Sequence, residues 1–148
     1  MPNFSSAIAI IDDDDIFQLL IRKIVEPKID GNFLLQFPTA AKALAYFKVN
    51  TSADIQRLPS IIFLDLVMPQ MSGWEFLEHF EKLPFNRTYR PPIFILTASG
   101  NIDFEKLRNY SLVKGFLTKP IVPAEFLGLI RDVIEQNSED GQQGLPRW

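Results

Sequence analysis

Short apolar runs alternate with longer amphipathic stretches five times along the chain. The first run, residues 7–11, reads Ala-Ile-Ala-Ile-Ile without a polar interruption. Continuous runs of this kind are typical of strands that are buried on both faces of a sheet. The same reasoning predicts further strands at 33–37, 60–64, 93–96 and 114–117.

The stretches that follow the strands carry apolar residues at helical spacing. Pro27 ends the first predicted helix, and Thr39 can cap the second. Ser72 and Glu75 form a capping-box pattern before the third, and Pro123 suits the first turn of the fifth. The residues expected to face the sheet are Ile16, Leu19, Leu20 and Ile24; Ala43, Leu44 and Phe47; Phe76, Leu77 and Phe80; Phe104, Leu107 and Tyr110 in a fourth helix at 102–111; and Phe126, Leu127, Ile130, Val133 and Ile134.

Strict alternation of strands and helices predicts an α/β fold, a doubly wound parallel sheet with helices on both faces. For five strands the expected order is 2-1-3-4-5, whose switch point lies between strands one and three. One domain is predicted over residues 5–137, with five helices. Residues 138–148 are polar and without periodicity, and we expect them to form a mobile tail.

Composition narrows the available chemistry. The chain has no cysteine, which excludes disulfides, thiolate metal sites and a cysteine nucleophile. Its one histidine, His79, cannot build a zinc site based on several imidazoles. Carboxylates, hydroxyls and lysines remain as the groups that can carry a function.

Charge and hydropathy bear on partners and location. The net charge is −3 and the basic residues are scattered, which disfavours direct binding of nucleic acid. No apolar run approaches the roughly 18 residues of a membrane span. The stretch 7–11 is too short for a signal peptide and runs into four aspartates. We therefore expect a cytoplasmic protein that does not insert into membranes.

Polar residues collect just past the ends of the predicted strands. Asp12 and Asp13 follow strand one, Asp65 follows strand three, Thr97 follows strand four and Lys119 follows strand five. In an open parallel sheet, ligands bind outside the carboxyl ends of the strands, at the switch point. The spacing thus predicts three carboxylates, a hydroxyl and an ammonium in one pocket.

Three carboxylates in one pocket repel one another unless a cation joins them. Mg²⁺ prefers oxygen ligands and is commonly held by one or two carboxylates together with a phosphate oxygen. Lys119 and Thr97 can then contact a phosphoryl group, and a carboxylate is left as the nucleophile, which would give an aspartyl phosphate. The next two acids, Asp14 and Asp15, are expected instead to stabilise a helix N-terminus.

Four segments carry a resemblance to a known family. Residues 10–15 (Ile-Ile-Asp-Asp-Asp-Asp), 63–73 (Phe-Leu-Asp-Leu-Val-Met-Pro-Gln-Met-Ser-Gly), 96–99 (Leu-Thr-Ala-Ser) and 116–120 (Phe-Leu-Thr-Lys-Pro) resemble receiver domains of two-component response regulators. The likeness is to the single-domain, chemotaxis-regulator type and extends over 5–137. It implies a flavodoxin-like fold and a phosphoprotein that acts in phosphorelay signal transduction.

The resemblance implies a role for each acidic residue. Asp65 matches the phosphoacceptor. Asp13 and Asp65 match direct ligands of Mg²⁺ (or Mn²⁺), and Asp12 a ligand that reaches the metal through water. The backbone carbonyl of Val67 matches the remaining protein ligand.

Further roles are implied at the ends of the last two strands. Thr97 matches a hydroxyl that moves toward the phosphoryl oxygen, and Lys119 matches the lysine that pairs with it. The family often has a cis peptide at the position of Lys119–Pro120. Phe116 matches the switch aromatic, and we expect its ring to lie in the core whether or not it moves.

The leading hypothesis is a stand-alone receiver, not an enzyme, that takes a phosphoryl group from a histidine kinase or phosphotransfer protein. Its output would be contact with another protein through the helix 4–strand 5–helix 5 face. The alternatives are a phosphorelay intermediate, a receiver-like interaction module that is never phosphorylated, a nucleotide or flavin carrier, and a phosphatase with an aspartate nucleophile. The phosphatase needs an acid two residues after the nucleophile, where this chain has Val67. Four aspartates after strand one would repel the phosphates of a nucleotide.

Overall fold

The computed structural model describes residues 7–29, 33–52, 58–85, 88–98 and 102–143, the last seven of these by their backbone only. Within these ranges strands and helices alternate in chain order. In order, they are β1 (Ala7–Ile11), α1 (Asp15–Val25), β2 (Leu34–Phe37), α2 (Ala40–Val49), β3 (Pro59–Asp65), α3 (Gly73–Glu81), β4 (Ile93–Thr97), α4 (Phe104–Leu107), β5 (Val113–Thr118) and α5 (Pro123–Gln143).

The described strands form one parallel sheet in the order β2-β1-β3-β4-β5, which confirms the predicted fold class and strand order. Ile11 is in register with Leu64, and Asp65 is in register with Leu96. The carboxyl ends of β1, β3 and β4 therefore lie side by side at one end of the sheet. Polar residues that directly follow these strands are brought close to one another there.

Alternate residues of the central strands face two separate core layers. On one side, Ile8 and Ile10 of β1 pack with the buried residues of α1 and α5. On the other side, Ala9 and Ile11 pack with α2 and α3. Both faces of β1 are covered, and all five of its residues are buried. This explains why the strand reads as an unbroken apolar run.

An aromatic cluster fills the layer between α2 and α3. The ring of Phe47 lies 4.9 Å from that of Phe80 and 6.3 Å from that of Phe76. At the outer edge of this layer, the Lys106 ammonium of α4 lies 4.3 Å from the centre of the Trp74 ring of α3. Aromatic packing thus joins α2 to α3, and a cation–π contact joins α3 to α4.

The predicted inner face of α1 is wrong. Phe17, Ile21 and Val25 are the buried residues of this helix. Leu19 and Leu20, which were expected to face the sheet, are 55% and 42% exposed. Ile16 is likewise 79% exposed, and Ile24 is partly buried. The helix carries apolar residues on more than one side, so spacing alone did not identify the buried side.

Two element lengths also differ from the prediction. The expected fourth helix at 102–111 is a single turn, Phe104–Leu107, whose N-cap is Asp103. The backbone of α5 remains helical to Gln143, beyond the predicted domain end at 137. Residues 144–148 lie outside the described ranges, and the mobility of the tail stays a prediction. Among the described helices, none is both long and apolar enough to cross a membrane.

Candidate functional site

The first part of the site is the turn between β1 and α1. Asp12 directly follows β1 and is fully buried. Its Oδ1 accepts a hydrogen bond of 2.9 Å from the backbone N–H of Asp14. Asp14 in turn caps α1 by accepting from the N–H groups of Ile16 and Phe17, which confirms the predicted capping role. Asp15 lies in the first helical turn, where the helix dipole favours a negative charge.

A glutamine in α1 holds the backbone around Asp12. The two N–H groups of Gln18 Nε2 are shared among three carbonyl oxygens, those of Ile10, Asp12 and Phe37, which lie 3.0–3.2 Å from the nitrogen. Gln36 of β2 donates to Oε1 of Gln18 at 2.8 Å. Because carbonyl groups at a buried strand end require donors, this side chain fixes the end of β1 to β2. Sequence reasoning missed Gln18, since its partners lie in separate elements.

The second part of the site is the end of β3. Oδ1 of Asp65 accepts a hydrogen bond of 3.1 Å from the N–H of Val67. The N–H of Gly73, at the start of α3, donates to the carbonyl of Leu66 at 3.0 Å. A Cβ at position 73 would lie 2.5 Å from the carbonyl oxygen of Asp65 and 2.7 Å from Cα of Leu66. Only glycine allows α3 to approach the backbone of Asp65 this closely.

The carboxylates of Asp12, Asp13 and Asp65 converge as the spacing predicted, with one oxygen of each within 4.8 Å of the others. Lys119 joins them from the end of β5. Its Nζ lies 2.5 Å from Oδ2 of Asp12 and 3.8 Å from Oδ2 of Asp65. The same Nζ lies 4.4 Å from the centre of the Phe17 ring. The Lys119 side chain is 16% exposed, so this ion pair is largely removed from water.

Burial dominates the electrostatics of the pocket. It raises the pKa of Asp65 from 3.8 to about 6, with the negative charges of Asp12 and Asp13 adding to the effect. The hydrogen bond from Val67 and the charge of Lys119 oppose this rise. Burial also raises the pKa of Asp12, although Lys119 favours its charged form. A single ammonium therefore does not balance the negative charge of this pocket.

The donor set fits a hard divalent cation. Oδ2 of Asp12 is buried and pairs with the Lys119 ammonium as an ion pair, but among the described residues it has no directed hydrogen bond. A metal ion held here would add a second positive partner for this oxygen and would neutralise the excess charge. Carboxylate oxygens of Asp12, Asp13 and Asp65 are the ligand type that Mg²⁺ and Mn²⁺ prefer. The carbonyl of Val67 as a further ligand stays a prediction.

Thr97 ends β4 beside these residues. Leu96, which precedes it, is in register with Asp65. The carbonyl of Thr97 accepts a hydrogen bond of 2.7 Å from the N–H of Lys119. The Lys119–Pro120 peptide is cis, in agreement with the resemblance. The structure thus brings the threonine and the lysine to the same edge of the sheet as the carboxylates.

The expectation that Phe116 lies in the core is wrong. Phe116 is 46% exposed, and its ring packs against Phe104 of α4 with the ring centres 5.4 Å apart. β5 is the edge strand of the sheet, and the single turn of α4 covers its outer side incompletely. The role of this residue as a switch aromatic stays a prediction.

The fold and the pocket define a doubly wound α/β domain with an acidic, lysine-containing site at the switch point of its sheet. Among protein families, the response regulator receiver domain matches residues 8–131. The chain belongs to this family, whose members act in two-component signalling.

Individual relatives agree with this membership. The chain is 31% identical over 124 residues to an uncharacterized 14.6 kDa protein of the sodA1 3′ region in Leptolyngbya boryana, covering 84% of this chain and 86% of that protein. It is 27% identical over 108 residues to the response regulator Rre1 of Synechocystis sp.. That match covers 66% of this chain and 45% of Rre1, so the chain spans less than half of that relative.

A solved structure shows the same fold. The signal receiver domain of an HD domain-containing protein from Pseudomonas fluorescens superposes with a TM-score of 0.72 at 19% identity. The superposition covers 96% of each chain. At this identity the likeness concerns the fold alone, and it agrees with the flavodoxin-like topology.

Proposed function

We propose that Asp65 accepts a phosphoryl group from a phosphohistidine of a histidine kinase or a histidine phosphotransfer protein. The observation that carries the proposal is the Lys119 ammonium, held between the carboxylates of Asp12 and Asp65 at 2.5 and 3.8 Å. Surface ion pairs are usually solvated, whereas this lysine is 16% exposed. Its position suits it to pair with oxygens of a phosphoryl group on Asp65.

The transfer forms one bond and breaks another. An oxygen of Asp65 attacks phosphorus, and the new P–O bond forms as the P–N bond to the donor imidazole breaks. The electron pair of the broken bond stays on the imidazole nitrogen, which takes a proton from solvent. Lys119 offers a positive charge to the phosphoryl oxygens, and Thr97 offers a hydroxyl donor. Mg²⁺ or Mn²⁺, when held by Asp12, Asp13 and Asp65, neutralises the charge of those oxygens.

The exposed side of α1 supports the choice of a protein as donor. Ile16, Leu19 and Leu20 leave an apolar surface on the helix that begins directly after the acidic turn. A donor protein must reach that turn to deliver its phosphoryl group, and an adjacent apolar surface can hold it there.

A charged substitution on this apolar surface should affect the rate of phosphoryl transfer from a protein donor but not the rate from a small-molecule donor. We expect Leu19→Glu to slow transfer from a cognate phosphohistidine protein about tenfold or more, because binding would then bury a charged group in an apolar contact. The rate with acetyl phosphate should not change, since that donor needs no docking surface. Equal rates of Leu19→Glu and wild type with the protein donor would contradict the assignment.

We propose that output uses the α4–β5–α5 face, by contact with another protein. Phe104 and Phe116 form an exposed aromatic pair there, and Thr97 links β4 to the backbone of Lys119. A phosphoryl group that draws the Thr97 hydroxyl inward would leave room for Phe116 to rotate, shifting an existing equilibrium.

We further propose that the protein is a stand-alone regulator, that it is cytoplasmic and that it is not an enzyme. The relative from Leptolyngbya boryana, a 14.6 kDa protein aligned over 86% of its length, supports the stand-alone part. Phosphohistidine donors are made from ATP, which supports the cytoplasmic part. Val67 is 85% exposed and cannot donate a proton, which disfavours turnover as a phosphatase.

Acetyl phosphate tests the central proposal. Incubation with Mg²⁺ should add one phosphoryl group, detected by intact-mass measurement and lost on treatment with hydroxylamine. Asp65→Asn should show no addition, whereas Asp103→Asn, an exposed N-cap of α4, should behave as wild type. A wild-type protein that binds Mg²⁺ but is phosphorylated neither by acetyl phosphate nor by any histidine kinase would exclude the proposed function.

A further inference from the structure

We propose that Phe17 is a positioning residue for Lys119, and that its ring holds the ammonium in the pocket when a metal ion takes over the carboxylates. This inference rests on the proposed phosphoacceptor function of Asp65. Nζ of Lys119 lies 4.4 Å from the centre of the Phe17 ring, within the range of cation–π attraction. No role for this ring follows from the phosphoacceptor proposal itself.

Burial makes this contact stronger than a surface contact of the same geometry. Phe17 is 6% exposed and the Lys119 side chain is 16% exposed. Lys106 lies equally close to the ring of Trp74, at 4.3 Å, but it is an exposed residue. Cation–π attraction increases when the cation is removed from water, so the pair in the pocket is the stronger one.

The position of the Phe17 ring is fixed by the same turn that carries the acidic residues. The N–H of Phe17 donates to Oδ1 of Asp14 at 3.1 Å, and the N–H of Asp14 donates to Oδ1 of Asp12 at 2.9 Å. Gln18, the next residue, donates to the carbonyl of Asp12 at 3.0 Å. The ring is therefore held at a set place relative to Asp12.

Lys119 has two kinds of partner, and a metal ion changes only one of them. A divalent cation on Asp12 and Asp65 competes for the carboxylate oxygens that Lys119 now contacts, and it repels the ammonium. The electrons of the Phe17 ring are unaffected by metal binding or by phosphorylation. The ring thus keeps Nζ beside Asp65, ready to pair with phosphoryl oxygens.

Fluorination tests the ring electrons without removing the ring. We would replace Phe17 by 3,4,5-trifluorophenylalanine, which has nearly the same shape and a much weaker attraction for cations. With saturating Mg²⁺ and acetyl phosphate, the phosphorylation rate should fall about threefold to tenfold. The affinity for Mg²⁺ should stay unchanged because the carboxylates are intact.

The matched control is the same replacement at Phe126. That residue is fully buried in the same core layer and lies against Phe63, with ring centres 4.7 Å apart. Its fluorination should leave the rate unchanged. An unchanged rate with the Phe17 replacement, or an equal loss at position 126, would overturn the proposal.

Nuclear magnetic resonance supplies a second readout that does not depend on any variant. The ring current of Phe17 should move the ε-methylene protons of Lys119 upfield of those of the exposed Lys114, both with and without Mg²⁺. Loss of this shift on Mg²⁺ binding would show that the ring does not retain the ammonium. A wild-type protein that is never phosphorylated contradicts the function of Asp65, whereas normal phosphorylation with no effect at position 17 contradicts the role of Phe17 alone.

Discussion

The acidic pocket and the α4–β5 edge, formed by Phe104–Leu107 and Val113–Thr118, belong to the same sheet but differ in how deeply their side chains are buried. Asp12 is fully buried and contacts Lys119, the N–H of Asp14 and, through its carbonyl, Gln18. By contrast, Phe104 and Phe116 are 48% and 46% exposed. β1 is buried along its whole length, whereas β5 alternates between partly buried and exposed residues.

Under the proposed function, the buried region would receive the phosphoryl group and the exposed region would respond to it. The pocket is assembled before any phosphoryl group arrives, so little ordering remains to be done there. At the α4–β5 edge, about half of the apolar surface of Phe116 is still exposed. Burying it by an inward rotation would be favourable by about 1 kcal/mol. α4, which packs against this ring through Phe104, is a single helical turn.

Of the changes proposed at the pocket and at the α4–β5 edge, the largest loss of unfolding free energy should come from adding one methyl group beside the pocket. Gly73→Ala places a Cβ 2.5 Å from the carbonyl oxygen of Asp65, so that the backbone must shift. We expect a loss of about 3 kcal/mol or more in the free energy of unfolding, measured in urea. Gly128→Ala is the control: a Cβ there meets nothing within 4 Å, and alanine in a helix should be neutral or stabilising by up to about 1 kcal/mol. Similar losses of unfolding free energy for both variants would show that the close backbone approach at Gly73 does not constrain the pocket.

A pH series tests the unbalanced charge of the pocket. Burial raises the pKa of Asp65 from 3.8 to about 6, so the stability from this carboxyl is fully present below pH 3.8 and is lost as the pH rises through about 6. A shift of roughly two units corresponds to about 2 to 3 kcal/mol. Between about pH 4 and about pH 7.5, metal-free wild type should lose this much more stability than Asp65→Asn. Mg²⁺ should remove the difference, and identical metal-free pH profiles would contradict the expectation.

The smallest effect should come from the α4–β5 edge. Phe104→Ala removes one ring of an exposed pair and should cost about 0.5 to 1 kcal/mol of unfolding free energy. Phe80→Ala, in the buried aromatic layer, should cost about 3 to 5 kcal/mol. Calorimetric titration of Phe104→Ala with Mg²⁺ should give the wild-type affinity, because the pocket is held independently. A changed affinity would mean that the two regions are not separate.

The sheet could be predicted because its central strands are continuous apolar runs. The pocket could be predicted because its residues directly follow those strands. β1 and β3 are buried on both faces, and a continuous apolar run identifies such strands. Parallel pairing then places the residues after each strand at one edge, so Asp12, Asp65 and Lys119 could be located from spacing.

The errors occur where contacts between separate elements decide the outcome. The apolar residues of α1 extend from its buried side onto its exposed side, so Leu20 and Ile21 could not be distinguished from helical spacing alone. Phe116 is exposed because β5 lies at the edge of the sheet and α4 is short, and neither fact is visible in the local sequence. The contact of Phe17 with Lys119 joins residues about a hundred positions apart, beyond the reach of any motif.

The contact between Trp74 of α3 and Lys106 of α4 makes the intrinsic fluorescence of Trp74 sensitive to the position of α4. The indole sits 4.3 Å from an ammonium group that belongs to the single-turn helix beside the β5 edge. Displacement of α4 removes that charge from the indole and changes its emission. The chain has two tryptophans, so Trp148→Phe leaves Trp74 as the single fluorophore. Stopped-flow fluorescence of this variant can then test, without an attached dye, whether α4 moves when the protein is exposed to acetyl phosphate and Mg²⁺.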